Sequence, residues 1–132
     1  MAPSPTPPEE IAQLMRFIAE KVKNVKSPMN VTELCRQFQK ETGSLISIPG
    51  LTQRISSHRG RIHEMNEFNT DTKVKMIFAL SASVDTEFLI ELKKVADVEV
   101  DDNQRIIQYK QKDGGLEFSG RHLIISTNKV KF

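Results

Sequence analysis

The stretch Asp71–Lys110, DTKVKMIFALSASVDTEFLIELKKVADVEVDDNQRIIQYK, constrains the fold most, because its hydrophobic period changes partway along. Before Asp97 the apolar residues recur at helical spacing; after it they alternate, as in a half-buried strand. Asn69-Thr70-Asp71 offers caps for a helix over about Thr72–Ser81. Val74, Ile77 and Phe78 face inward there, and Met76 and Leu80 extend the apolar area nearly all round, which predicts a central position. A run this short also fits a buried strand, and periodicity alone leaves that alternative open. Asp85 caps the next helix, about Thr86–Ala96, with Val84 and Leu89 at the positions of a hydrophobic staple. Its inner stripe is Phe88, Leu89, Leu92, Val95 and Ala96. Val98 and Val100 then alternate with Asp97, Glu99 and Asp101, and Asp102-Asn103 is turn chemistry. Arg105–Lys110 is β-prone, Asp113-Gly114-Gly115 marks a second turn before Leu116 and Phe118, and Leu123–Ile125 is a last β-like run.

Three helices are expected upstream. Residues 1–8 carry four prolines and no apolar periodicity, the pattern of a flexible lead-in. Glu9–Val25 places Ile11, Leu14, Met15, Ile18, Val22 and Val25 on one helical face. Asn30-Val31-Thr32-Glu33 has the form of a capping box, opening a helix that runs to about Thr42, buries Val31, Leu34, Cys35 and Phe38, and stops at Gly43. Pro49 and Gly50 then mark the start of a third helix, about Leu51–Met65. Leu51, Ile55, Ile62 and Met65 form its inner face with His58 on the same stripe, and Gly60 is its weak point. The expected fold is therefore α+β and mainly helical: about five helices, then a small C-terminal antiparallel hairpin or meander.

A chain of 132 residues suits one domain with a real core. A lone cysteine, Cys35, allows no disulfide within the chain, so a reducing compartment is expected. It lies on an apolar stripe, where a buried small hydrophobe is the better reading than a reactive thiol. The N-terminus lacks the basic and apolar regions of a signal peptide, and the longest apolar run, Met76–Val84, is too short to span a bilayer, so no membrane role is expected. No GxxxxGK[ST], GxSxG or HExxH motif is present. His58 and His63 are five apart, off the spacing of a zinc helix, and the acids around Asp101 lack the calcium-loop pattern. The expectation is a protein that is not an enzyme, with no cofactor and no metal.

Charge supplies the functional lead. The net charge of +2 decides nothing, but Thr42–His63 contains no acid and carries Arg54, His58, Arg59, Arg61 and His63. On a continuous helix, Arg54, Ser57 and Arg61 share the face opposite the apolar stripe. Three helices, the third basic and outward-facing, with a hairpin later, invite comparison with helix-turn-helix and winged-helix DNA readers, although two helices intervene. Arg54, Ser57, His58, Arg59 and Arg61 are thus the candidate contacts for nucleic acid or a partner, and a solvated helix face is the bland alternative. By contrast, Asp85–Asp102 sets seven acids against two lysines. Such a bipolar chain suits protein docking or self-association.

The segments LMRFIAEKV, NVTELCRQF, LTQRISSHRGRI, KVKMIFALSASVD, FLIELKKVADVEVDDNQRIIQYK and DGGLEFSG, in that order, resemble the SPK domain. This nematode-expanded module is named for its occurrence beside SET, PHD and protein-kinase domains. The likeness runs from about Leu14 to about His122. It implies a nuclear, chromatin-linked setting and no established catalytic residues. The expected organisation is a lead-in at 1–8, one SPK-like domain at 9–126 and a tail at 127–132. The expected function is a non-catalytic nuclear protein-interaction module in chromatin or transcription regulation, with cytosol as the other compartment. DNA binding through the third helix is the alternative.

Overall fold

The structure, a computed structural model, describes residues 7–122. The elements run α1 (Pro7–Lys21), α2 (Val31–Thr42), α3 (Ile48–His58), a 3-10 segment (Arg59–Glu64), α4 (Thr70–Ala79), α5 (Thr86–Val95), β1 (Ala96–Val100), β2 (Ile106–Gln111) and β3 (Glu117–Ser119). The α+β class, five helices and then a small antiparallel sheet, is as expected. The strands form a meander in the order β1-β2-β3. The β-like run Leu123–Ile125 lies outside the described residues.

Side-chain caps set most helix starts. Asn30, Ser47, Asn69 and Asp85 accept from the backbone N–H groups of Glu33, Gly50, Thr72 and Phe88 at 2.8–3.1 Å. Several boundaries differ from expectation, among them α4, which runs Thr70–Ala79 instead of about Thr72–Ser81. α1 starts at Pro7, since proline in a first turn forfeits no helical bond, and ends at Lys21 instead of Val25. Beyond Lys21 the chain tightens through Val25 N–H to Val22 C=O (3.0 Å), and Val22 stays in the core. At α2 the Glu33 carboxylate pairs with Arg36 (3.2 Å), so the capping box is seen in its Asn30 half. α3 begins three residues before Leu51, because Ser47 is the better cap. It passes into the 3-10 segment at Arg59 beside Gly60, where a continuous α-helix was expected. Val95 is 52% exposed, not on the inner stripe, because α5 ends there and Ala96 turns into β1.

α4 resolves as a helix and is the centre of the molecule, with Val74 and Met76–Leu80 all buried. Helix α1, the 3-10 segment and β2 pack against it, and Phe118 of β3 meets Phe78 with ring centroids 4.4 Å apart. Phe118 also stacks on Tyr109 of β2 at 5.4 Å. The Tyr109 hydroxyl lies near Gln111 without a well-formed bond, and that amide donates to Asp71 and accepts from Leu116 N–H (both 2.7 Å). Burial raises the Tyr109 phenol above its ordinary value. Gly120 passes so close to this cluster that an added Cβ would stand 3.0 Å from Pro28 Cδ and 3.1 Å from Phe78 Cζ. Cys35 is fully buried, and burial raises its thiol pKa, as its apolar stripe implied.

Truncating Phe78 to alanine should cost about 3–5 kcal/mol in urea unfolding, the range for emptying an aromatic site in a close-packed core. A loss below about 1 kcal/mol would contradict the central role of α4.

Candidate functional site

The five residues singled out by charge do not form one outward face. Arg54 is half-buried; it donates to Gly50 C=O (3.1 Å) and to Glu10 of α1 (3.3 Å). Ser57 is exposed and accepts from Gln53 (3.3 Å). His58 is half-buried, with Nδ1 2.9 Å from Arg54 C=O. Arg59 turns inward and donates to Leu80 C=O at 2.9 Å. Arg61 is exposed and makes no ion pair among the described residues. The change to 3-10 geometry after His58 breaks the shared face that a continuous helix gives Arg54, Ser57 and Arg61. His63 lies 3.8 Å from Asp85, so the basic stretch and the acidic stretch meet inside one molecule.

Arg59 instead belongs to a clasp around the C-terminal end of α4. Helix ends leave carbonyls without partners, and a buried end must find donors. Ala82 N–H bonds Ile77 C=O (3.0 Å) and Ser81 N–H bonds Phe78 C=O (3.1 Å), the two bonds of a Schellman motif. Met29 N–H bonds Ala79 C=O (2.8 Å), and Arg59 takes Leu80 C=O. The guanidinium charge also suits the negative end of the helix. Ser81 occupies the left-handed position (φ 54°) that usually goes to glycine.

The Ser81 hydroxyl has a second task. It lies 2.7 Å from His122 Nδ1, while His122 Nε2 bonds the Ile106 carbonyl. A carbonyl only accepts, so Nε2 carries the proton and the serine hydroxyl donates to Nδ1 of the neutral ring. His122 is 7% exposed and edges onto Phe78 at 5.5 Å. Burial, aided by Arg105, lowers its pKa despite the bond to Ile106. This joint of α4, β2 and the chain after β3 was not read from sequence, since residues 41 apart with no shared motif give no local signal.

The acidic stretch is mostly surface. Asp101 is the exception: it accepts from the N–H groups of Asn103 and Arg105 and from the Arg105 guanidinium, each at 2.9 Å. Burial opposes its charge, but these donors outweigh it and hold the carboxyl below its usual value. The aspartate therefore shapes the β1–β2 turn. Glu87, Asp97, Glu99 and Asp102 are exposed and join no ion pair among the described residues. Three large apolar side chains also stand in solvent, Leu45 (101% exposed), Ile90 (55%) and Val95. No described helix is long and apolar enough to cross a membrane.

A compact α+β domain with a clasped central helix and a divided charge surface is the class these features define. The model of the SPK family, described as a domain of unknown function (DUF545), matches residues 14–117. The chain belongs to the SPK family. No curated protein and no solved structure matches it.

Two measurements check this reading of the site. Arg59→Ala should destabilise the domain by about 1–3 kcal/mol, because it strands a carbonyl at the end of a buried helix. Arg61→Ala should stay within about 0.5 kcal/mol, as exposed substitutions do. Equal losses in thermal or urea unfolding would refute the distinction. His122 is neutral when folded and takes a proton more readily when unfolded, so the unfolded chain binds more protons below about pH 6.5, the ordinary imidazole value. Stability should therefore fall as pH drops from about 7 toward 5, with a shallower slope in His122→Gln. Asp101 adds its own loss only at lower pH, near and below the ordinary carboxylate range. Parallel slopes for the two proteins between about pH 7 and 5 would show that His122 does not contribute.

Proposed function

We propose that this domain is a non-catalytic protein-interaction module acting in the nucleus, in chromatin or transcription regulation. The observation that carries the reading is the α5–β1 surface. Ile90 and Val95 are exposed on these elements, as are the acids Glu87, Glu91, Asp97 and Glu99 and the lysines Lys93 and Lys94. Apolar anchors with a charged surround are the make-up of a protein-recognition surface, and complementary charge there sets register and encounter rate. The nuclear setting follows from the resemblance to SPK domains, which occur beside SET, PHD and kinase domains.

DNA binding is the competing reading, favoured by the acid-free stretch through Arg61. Against it, Arg54 and Arg59 are engaged within the fold, which leaves a small phosphate footprint. Fluorescence anisotropy with duplex DNA at physiological salt, about 0.15 M, separates the two. The interaction reading expects affinity no tighter than the nonspecific range of roughly 10⁻⁴–10⁻⁶ M, and little change in Arg61→Glu. Tight, salt-dependent binding abolished by Arg61→Glu would replace it with the DNA reading. Crosslinking in nuclear extract should return a reproducible protein partner, and a consistently empty result under gentle conditions would count against the module.

A further inference from the structure

β1 is an edge strand with no strand paired to its outer side among the described residues, and its register says which groups point there. Lys112 N–H bonds Val95 C=O, Gln111 N–H bonds Leu116 C=O and Gly120 N–H bonds Ile107 C=O. With Ala96 opposite Gln111 and Val98 opposite Tyr109, Asp97 and Glu99 are the β1 residues that exchange bonds with β2. The N–H and C=O groups of Val98 point the other way, to the outer edge. Past the irregularity at Glu99/Val100, Asp101 N–H bonds Arg105 C=O, which leaves Val100 facing outward too. No backbone bond from a loop or helix reaches Val98 or Val100 among the described residues.

An unpaired edge is a template for another strand, and charge on it decides which strand is admitted. Asp97 and Glu99 are exposed on the solvent face of β1, while Val98 and Val100 are half-buried toward the core. Lys110 stands opposite Asp97 on β2, but Glu99 faces uncharged Gln108, and Glu117 flanks Lys110 from β3. On α5, Lys94 is held by Glu91 at 2.9 Å, Lys93 is exposed, and Glu87 is unpaired. A second copy of β1 laid antiparallel on this edge would bring Asp97 and Glu99 against their own kind, which is unfavourable. A strand carrying Lys or Arg at alternate positions would set them beside both acids. Its intervening apolar residues would turn toward the side of Val98 and Val100.

We propose that the outer edge of β1 receives an extended, alternately basic and apolar segment of a partner protein as a fourth strand. The proposal rests on the interaction reading above and gives that partner its chemistry. Val98 and Val100 supply the backbone bonds, Asp97 and Glu99 the selection, and exposed Val95 an apolar contact where the edge begins.

The probe is a short fluorescein-labelled peptide of alternating lysine and valine, with an alternating glutamate–valine peptide as its counterpart. The lysine peptide should bind the intact protein at low salt and the glutamate peptide should not. Asp97→Lys combined with Glu99→Lys, both exposed positions, should leave the circular dichroism unchanged and weaken the lysine peptide roughly tenfold or more. In the wild-type complex, amide exchange at Val98 and Val100 should slow by a similar factor, a readout that simple charge attraction would not move. Absent binding, unchanged affinity in the double variant, or unprotected Val98 and Val100 amides would each overturn strand addition. A nuclear partner still captured by the double variant would leave the interaction module standing while removing the β1 edge from it.

Discussion

The C-terminal end of α4 lies in the core, and that placement organises the molecule. A helix that stops inside a protein exposes carbonyls to a medium without water, where an unmet acceptor costs about 1–3 kcal/mol. Here the carbonyls from Ile77 to Leu80 are all met, by Ala82, Ser81, Met29 and Arg59. The last two donors come from the α1–α2 connection and from the 3-10 segment. One local requirement thus fixes where two distant parts of the chain must pass. The left-handed Ser81 that closes the motif also donates to His122, which brings the chain beyond β3 to the same place.

That arrangement reassigns the basic stretch. Arginine on an outward helix is a natural phosphate contact, but a planar fork of donors serves a buried helix end equally well. Arg59 is used in the second way and Arg54 is shared with Glu10, so Arg61 alone keeps the exposed character that the charge pattern gave all three. The acidic stretch divides likewise. Asp101 is spent on a turn, whereas Asp97 and Glu99 remain on an edge strand with no partner on its outer side among the described residues. The interaction surface proposed above accordingly lies at the junction of α5 and β1 and not on α3.

Much of the fold was legible because its signals are local. Asn30, Asp85 and the Asn69–Asp71 group announced helix starts, the period change near Asp97 announced the sheet, and nearly continuous apolar character placed α4 at the centre. The departures came from outside the local pattern. The tightening after Lys21 and the 3-10 turn at Arg59 depend on where neighbouring elements lie, and Val95 left the inner stripe because the chain changes direction at the next residue. The candidate site was legible as a set of charges but not as a surface, because the direction of a long side chain is set by what surrounds it.

From the sequence alone came the order of the helices and strands, most of the membership of the core, the SPK likeness and the uneven distribution of charge. These rest on spacing, caps and composition, which act over a few residues. Only the tertiary structure decided that Arg59 closes a helix, that His122 joins α4 to β2, and that β1 is an acidic edge strand among the described residues. Each of those depends on groups far apart in the chain becoming neighbours, and on buried polar atoms taking whichever partner the folded chain puts within reach.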